Sequence, residues 1–308
     1  MKISVVTPTY NEFDNIGKIY DEIKKKFKEI NCEYEHLIID NNSSDGTINK
    51  IKELALKDKN LKIIINAKNY GHIRSPFYAL LQCNSDATIL MAADFQDPID
   101  LIPQYIEEWK NGNKIVLGEK ISSEENKTKY NIRTLFYNFL NKISEFELPK
   151  NTTGAGIFDK TVIEKLKKIN DPYPYFRGLI TELGEDIKTL KFKQPLRKAG
   201  KTKSNILTLY DIGMLGIVKH SRKPLRFMVV LGFILSTVSF FIGIFYLVYK
   251  LIYWESFDLG IAPLVIGIFI FSSIQITLLG LVGEYIGIIL LHQRNIPLVH
   301  EKERINFE

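Results

Sequence analysis

The chain has 308 residues, of which 45% are hydrophobic and 25% are charged, a balance that is typical of a globular protein. Its formal net charge is +6, and its two cysteines, Cys32 and Cys83, lack a CxxC spacing. This pattern argues against a disulfide framework and against a zinc site, and it predicts two reduced thiols. Only a short apolar run follows Met1 and Lys2, so we expect the N-terminal part to stay in the cytosol.

Short apolar runs alternate with amphipathic stretches over the first 118 residues. The runs predict strands at 3–7, 34–40, 61–66, 87–93 and 114–118, and the stretches predict helices at 15–28, 47–56, 75–83 and 101–109. Because the strands are almost unbroken apolar runs, they are expected to be buried on both faces. The sequence therefore predicts an α/β fold with a mostly parallel sheet and helices on both faces.

Polar segments directly follow the first, second and fourth predicted strands. They read TPTYNE at 7–12, DNNSSDGT at 40–47 and DFQDP at 94–98. The carboxyl ends of parallel strands meet at one rim of the sheet, where ligands of such folds bind. The three segments together predict a site for a nucleotide diphosphate.

The residue types in these segments suit the parts of such a ligand. The carboxylate of Asp40 can accept from the imide N–H of uracil or the N1–H of guanine, and Pro8 or Tyr10 can pack on the base. Asp94 and Gln96 offer hard oxygens to a Mg²⁺ or Mn²⁺ ion that bridges the diphosphate. The sequence has no GxxxxGK[ST] loop and no GxGxxG after the first strand, which argues against phosphoryl transfer and dinucleotide chemistry.

Two long uncharged stretches, 227–249 and 259–283, each exceed the roughly 20 residues that span a bilayer core. Basic residues flank the pair on both outer sides, whereas the connecting loop 250–258 has one lysine against two carboxylates. The positive-inside rule then predicts two transmembrane helices within 225–291, in a protein of the cytoplasmic membrane, with residues 292–308 as a cytoplasmic tail. The amphipathic stretch within 205–224 is expected either to lie in the membrane interface or to pack on the globular domain.

Basic residues, among them Arg197, Lys201 and Lys203, bunch shortly before the first apolar stretch. Nucleic acid is one partner class for such a cluster. Its position before a membrane span favours anionic lipid head groups instead, so no nucleic-acid partner is expected.

Several ordered motifs resemble glycosyltransferase family 2, and within it the dolichyl- and polyprenyl-phosphate sugar synthases with C-terminal membrane helices. The matching segments are 5–12, 38–47, 92–98, 175–178, 197–203 and 283–287, which read VVTPTYNE, IIDNNSSDGT, AADFQDP, YFRG, RKAGKTK and GEYIG. The resemblance implies a GT-A (Rossmann-like) transferase domain over 1–204 with a UDP- or GDP-sugar donor and a polyprenyl-phosphate acceptor. It also implies inversion at the anomeric carbon and a homo-oligomer.

The motifs and the rim argument together give candidate site residues. Those for the nucleotide sugar are Thr7, Pro8, Tyr10, Glu12, Asp40, His72 and Arg74, and those for the metal are Asp94 and Gln96. Those for catalysis are Asp94, Asp97, Arg197 and Glu182. Those for the acceptor phosphate are Lys120, Arg133, Arg197, Lys201 and Lys203.

Three positions depart from the family's pattern: Ala92 and Asn41 stand where aspartate is usual, and Gly154 stands where related synthases often carry one. A phosphate acceptor needs no base, because its second pKa of about 6 leaves it largely ionised near pH 7. A hydroxyl acceptor does need one, and Glu182 is then the candidate, with a plain helix-surface glutamate as the alternative. Three functions stay open: transfer to polyprenyl phosphate, transfer to a hydroxyl of a lipid-linked glycan, and a non-catalytic membrane scaffold.

Overall fold

The computed structural model describes residues 1–123, 149, 151–195, 211, 214–219, 221–253 and 261–307. The strands are β1 (Lys2–Thr9), β2 (Glu33–Asp40), β3 (Leu61–Asn66), β4 (Ala87–Leu90), β5 (Ile115–Ser123), β6 (Thr152–Asp159), β7 (Ile187–Gln194) and β8 (Glu301–Ile305). The helices are α1 (Phe13–Glu29), α2 (Thr47–Lys57), α3 (Gly71–Leu81), α4 (Leu101–Lys110), α5 (Lys160–Lys167), α6 (Phe176–Glu182), α7 (Lys223–Ile252) and α8 (Ile261–Gln293).

The strands form one sheet in the order β7-β5-β6-β4-β1-β2-β3-β8. Four of the seven neighbouring pairs are parallel, and these include the central run from β4 to β3. The alternation of side chains along β1 sends Val5 to the face covered by α1 and Val6 to the face covered by α3. The predicted α/β fold with helices on both faces is confirmed, although the sheet is mixed.

The helix α3 begins earlier than the predicted 75–83. The Oδ1 atom of Asn69 accepts a hydrogen bond from the backbone N of Gly71 at 2.8 Å, which fixes the start of the helix. Pro76 lies inside the helix and has no N–H for the carbonyl of His72. Residues 71–74 therefore form the first turn of a helix instead of a loop, and this decides where their side chains point.

The predicted pair of C-terminal apolar helices is confirmed. The helices α7 and α8 have 30 and 33 residues, or lengths of about 45 and 50 Å at 1.5 Å per residue. Each contains a stretch that is long and apolar enough to cross a membrane, Lys223–Ile242 and Ile270–Gln293. Large apolar side chains on both helices are exposed, which marks a surface for lipid or for another apolar partner.

The chain returns from α8 to the sheet. The strand β8 pairs antiparallel with β3, and beyond it Nδ2 of Asn306 donates to the carbonyls of Ala55 and Leu61 at 3.0 and 2.9 Å. The expectation of a tail at 292–308 is thus corrected, because this segment supplies an edge strand of the sheet. The end of the helical pair is fixed to the α/β domain.

Candidate active site

Two loops at the carboxyl ends of β1 and β2 are hydrogen-bonded to each other. The backbone N of Asn11 donates to Oγ of Ser43 at 2.8 Å, and Oδ1 of Asn11 accepts from the backbone N of Ser44 at 2.8 Å. The Oδ2 atom of Asp45 accepts from the backbone N of Phe13 at 3.1 Å. Asn11 has a φ of +55°, a left-handed conformation that asparagine adopts more readily than most residues. The rim is therefore preformed by local polar contacts.

Asp40 is the last residue of β2 and is fully buried. Its Oδ1 accepts from the backbone N of Ser43 at 2.8 Å, and its Oδ2 accepts from the hydroxyl of the same residue at 2.5 Å. Burial raises the pKa of Asp40 and outweighs these hydrogen bonds, which lower it. Each carboxylate oxygen has a second lone pair for a nucleobase N–H. The turn at Ser43 therefore fixes the orientation of the Asp40 carboxylate at the rim.

Asn41 joins the second loop to the third. Its Nδ2 donates to the carbonyl of Gly71 at 2.9 Å, while its Oδ1 accepts from Nδ2 of Asn66 and from the backbone N of Tyr70, both at 3.0 Å. An aspartate can accept but cannot donate when ionised. The departure from the family pattern at position 41 thus supplies a buried amide that holds the start of α3 against the rim.

The loop after β4 carries the two candidate catalytic aspartates. Phe95 is buried there at a φ of +60°, a strained conformation for a residue with a side chain. The Oδ1 atom of Asp94 accepts from the backbone N of Gln96 at 3.2 Å. Asp97 is buried, with Oδ2 at 3.4 Å from the backbone N of Ala92.

The side chain of Gln96 joins this loop to the far side of the sheet. Its Oε1 accepts from Nε2 of Gln194, the buried last residue of β7, at 2.9 Å. This hydrogen bond uses the oxygen that the sequence suggested as a metal ligand. Of the two predicted ligands, Asp94 is the better placed.

The described residues contain no group of three or more His, Cys, Asp or Glu side chains that could hold a metal ion. A Mg²⁺ ion that binds with phosphates commonly takes one or two carboxylates from the protein and its other ligands from the phosphates and from water. The donor set around Asp94 therefore fits a divalent ion that is shared with a diphosphate, and does not fit a resident metal held by protein ligands alone.

A cleft of about 230 Å³ opens beside the Asp94 loop. Pro8 and Ala92 line it at the ends of β1 and β4, and Asp97 lies at the same end. Most of the remaining wall is apolar and comes from α3 and from the start of α6, including Phe77 and Phe176. The cleft thus begins at the rim of the sheet, and most of its wall is apolar.

Two basic side chains, His72 and Arg177, also line the cleft. The Nη1 atom of Arg177 donates to the carbonyl of Thr152 at 3.0 Å, which orients the guanidinium. Loss of hydration on partial burial, and after it the positive charge of Arg177, lowers the pKa of His72. Gly154 has a φ of +85°, and a Cβ at this position would lie 3.5 Å from Cδ1 of Phe176 and 3.9 Å from Cγ of Arg177. These are ordinary contact distances, so the positive φ is the feature that favours glycine at 154.

The end of the cleft away from the rim touches the helical hairpin. Tyr175, which lines the cleft, packs against Leu215 of the helical segment 214–219, with Ile73 and Ile288 beside them. Leu215 and Val218 are buried. Of the two expectations for 205–224, the described part of the segment follows the second, since it packs on the globular domain.

A buried ion pair strengthens this attachment. The Nζ atom of Lys219 donates to Oδ1 and Oδ2 of Asp171 at 2.5 and 2.6 Å, and to the carbonyl of Tyr173 at 2.6 Å. Burial lowers the pKa of Lys219, against the opposite effect of Asp171. Nε2 of His292, at the end of α8, lies 3.4 Å from Oδ1 of Asp171. The loop that carries Tyr175 is thus tied to both ends of the hairpin.

The structure places the other predicted donor residues as follows. The hydroxyl of Thr7 is fully buried and lies 2.9 Å from Nε2 of His36, so this side chain is part of the protein interior. The Oε2 atom of Glu12 accepts from Nδ2 of Asn15 at 2.7 Å at the start of α1. Tyr10 is half-buried on the loop between β1 and α1.

The predicted diphosphate role of Arg74 does not fit its placement. Its Nε donates to the carbonyl of Leu298 at 2.8 Å, and its Nη2 donates to the carbonyl of Pro297 at 2.6 Å. Glu182 is exposed at the end of α6 and is not among the residues that line the cleft, and Lys120 lies on β5. Four candidates fall outside the described residues: Arg133, Arg197, Lys201 and Lys203.

Sequence reasoning missed a role for Arg177, although the motif that contains it was recognised at 175–178. Residues 72 and 177 are far apart in the sequence, and no local pattern predicts that they share a cleft. The positive φ of Gly154 was equally hidden, since glycine occurs in many turns for other reasons.

Comparison with known proteins gives consistent matches. A model of glycosyl transferase family 2 matches residues 4–167. A bactoprenol glucosyl transferase from Shigella phage SfV is 28% identical over 309 residues, covering 99% of this chain and 100% of that protein. A prophage bactoprenol glucosyl transferase homolog from Escherichia coli K12 is 29% identical, covering 93% and 94%. The fold also resembles glucosyl-3-phosphoglycerate synthase from Mycobacterium tuberculosis, with a TM-score of 0.50 and 16% identity over 70% of this chain and 76% of that one.

Proposed function

The chain belongs to glycosyl transferase family 2, and from this premise we propose that it moves a sugar from a nucleotide diphosphate sugar to a polyprenyl phosphate. The observation that carries the proposal is the cleft that begins at Asp97 on the donor loop and ends at Tyr175 beside the helical hairpin. A lipid acceptor has to bring a reactive head group to the donor while its chain stays in an apolar environment. Relatives of full length named bactoprenol glucosyl transferase support this acceptor class.

The donor binds on the preformed rim. The nucleobase lies near Asp40 and is covered by Pro8 or Tyr10, and the diphosphate lies toward Asp94. A Mg²⁺ or Mn²⁺ ion that Asp94 shares with the diphosphate would neutralise the charge that develops on the departing nucleotide. Asp97 lies in the donor end of the cleft, where its carboxylate can accept from hydroxyl groups of the sugar.

The reaction is a single displacement. An oxygen of the acceptor phosphate forms a bond to the anomeric carbon from the cleft side, the bond from that carbon to the diphosphate breaks, and the nucleoside diphosphate leaves with the electron pair. The configuration at the anomeric carbon is inverted. No proton has to be removed, because the second pKa of a phosphate monoester is about 6. The absence of an acidic side chain at Gly154 is compatible with such an acceptor.

The hairpin formed by α7 and α8 is proposed to cross the cytoplasmic membrane with the transferase domain on the cytoplasmic side. Both of its ends are fixed to that domain, one through Lys219 and Asp171 and the other through β8. Both ends must therefore lie on one side of the bilayer. Lys223 and Arg226 at the start of α7 give that side the positive charge that is typical of the cytoplasmic face.

The test uses membranes that contain the full chain, labelled UDP- and GDP-sugars, and polyprenyl phosphate. We expect a lipid that carries one sugar through a phosphate, with an anomeric configuration, determined by NMR, opposite to that of the donor. A product that forms only when a lipid-linked glycan is added would instead support transfer to a hydroxyl. No labelled lipid under any of these conditions would support the scaffold hypothesis.

A further inference from the structure

The cleft combines an apolar body with two basic side chains from separate elements. His72 comes from the first turn of α3, and Arg177 is the second residue of α6. Among the described residues that line the cleft, these two are the basic ones. Asp97, near the rim, and Tyr175, near the helical hairpin, line the same cleft.

Local contacts position the Arg177 side chain and the backbone of His72. The hydrogen bond from Nη1 of Arg177 to the carbonyl of Thr152 orients the guanidinium. His72 lies in the first turn of α3, whose start is fixed by the amide of Asn41 through Gly71, and its side chain is exposed. A guanidinium matches the geometry of phosphate oxygens with two parallel hydrogen bonds.

Electrostatics favour an anion between these groups. Partial burial, and after it the charge of Arg177, lowers the pKa of His72. An anion that contacts both side chains can accept hydrogen bonds from the guanidinium of Arg177 and from the ring N–H of His72. The partly apolar surroundings strengthen such charge-assisted hydrogen bonds relative to water.

The apolar part of the cleft limits what kind of anion fits. Ile73, Phe77 and Phe176 offer no polar partner to a sugar or a second phosphate along this wall. A volume of about 230 Å³ is smaller than that of typical drug-sized sites, so it takes a head group and the start of a chain. Tyr175 packs against Leu215 of the segment 214–219, and Ile288 of the hairpin lies beside them. The remainder of a long apolar chain can therefore stay with the membrane helices.

We propose that Arg177 and His72 bind the phosphate of the acceptor while the apolar wall takes its first prenyl unit. The inference rests on the proposed transfer to a polyprenyl phosphate. It moves His72 from the donor site to the acceptor site, and it gives the phosphate a position next to Asp97 at the donor end. The acceptor phosphate is then held by residues of α3 and α6 within the described domain.

The first experiment measures binding to the full chain in detergent, with a short-chain prenyl phosphate and the matching prenyl alcohol as probes. We expect the native chain to prefer the phosphate and Arg177→Gln to lose about 10- to 100-fold in affinity for it, as for the loss of a charge-assisted hydrogen bond. Affinity for the alcohol should stay within about twofold, because the apolar wall is unchanged. His72→Asn should lose less affinity for the prenyl phosphate than Arg177→Gln does. The loss for Arg177→Lys, which keeps the positive charge, should lie between those of His72→Asn and Arg177→Gln. Equal affinity of the native chain for both probes would overturn the inference.

The second experiment measures apparent Michaelis constants for polyprenyl phosphate and for the nucleotide sugar. We expect Arg177→Gln to raise the constant for the lipid and not that for the donor. Arg222→Gln is the matched control, since Arg222 is exposed beside the hairpin and outside the cleft. A rise in the donor constant alone would place Arg177 at the diphosphate and overturn the inference.

The two experiments separate this inference from the proposed function. If the native chain glycosylates polyprenyl phosphate but the variants keep its affinity, the phosphate site is wrong and the function stands. If the native chain transfers no sugar to this lipid, the function fails, and the binding preference still tests the site. Should Arg177→Gln not fold, Arg177→Lys and His72→Asn carry both measurements.

Discussion

The proposed donor rim and the proposed acceptor cleft meet at the same end of the sheet but are held together by different interactions. In the rim, Asn11 and Asn41 connect short loops through hydrogen bonds between side chains and backbone. In the cleft, apolar contacts such as Tyr175 with Leu215 and the buried pair of Asp171 with Lys219 connect the domain to the hairpin. The rim therefore depends on the α/β domain alone, whereas the cleft depends on how that domain meets the C-terminal apolar helices.

This difference separates the two substrates. A change in the rim should alter the use of the nucleotide sugar, and a change in the cleft should alter the use of the lipid. The loop from 92 to 97 belongs to both, because Asp94 is proposed to contact the donor, and Ala92 and Asp97 line the cleft. Substitutions there should affect turnover more than they affect either Michaelis constant.

The largest expected effect is that of Asp94→Asn. We expect turnover at saturating concentrations of both substrates to fall by about 10²- to 10³-fold, as for removal of one group that stabilises charge in a transition state. The reason is that the variant weakens the carboxylate contact to the diphosphate and its metal. Thermal unfolding in detergent should stay close to that of the native chain, since Asp94 is only half-buried.

The control for this substitution is Asp100→Asn, which makes the same chemical change a few residues along the chain. The side chain of Asp100 is 88% exposed and pairs with Lys26 on the surface. It should leave turnover within about twofold, because exposed ion pairs contribute little. Near-normal turnover of Asp94→Asn would contradict the role of Asp94.

The next effect concerns the rim alone. Asn41→Asp removes the donor that bonds to the carbonyl of Gly71 and places a buried carboxylate beside that oxygen. We expect the free energy of unfolding to fall by about 1–3 kcal/mol, with a several-fold higher Michaelis constant for the donor. Asn60→Asp, exposed just before β3 and outside the polar segments of the rim, is the matched control and should change neither. If Asn41→Asp raises the Michaelis constant for the lipid as much as that for the nucleotide sugar, the separation of the rim from the cleft is wrong.

The fold was predictable where burial shaped the sequence. The central strands are apolar on both faces because helices cover both sides, so simple runs such as 61–66 reveal them. The strand β8 was missed because its sequence, EKERI, carries charges that suit an exposed edge strand and resemble a tail. Its pairing with β3 depends on the return of the chain from α8, which no local pattern encodes.

The site was predictable to a similar degree. The rim segments were found because polar turns follow strand ends, and that rule is local. The pairing of His72 with Arg177 was not found, because it depends on two helices that meet in space. The prediction that Arg74 contacts the donor diphosphate together with His72 does not fit the structure, for a simple reason. Two residues in a loop can face one ligand, but in α3 positions 72 and 74 point about 200° apart around the helix axis.

The smallest expected effect is that of Arg74→Gln, and it tests that last point. Because the guanidinium donates to the carbonyls of Pro297 and Leu298, the variant should loosen the segment that leads to β8. We expect a loss of about 1 kcal/mol in the free energy of unfolding and Michaelis constants for both substrates within about twofold of the native values. If Arg74 instead bound the donor diphosphate, the donor constant would rise at least tenfold, by about 1.4 kcal/mol or more. His72→Asn, in the same turn of α3, is the matched comparison, since it should raise the constant for the lipid and leave that for the donor unchanged.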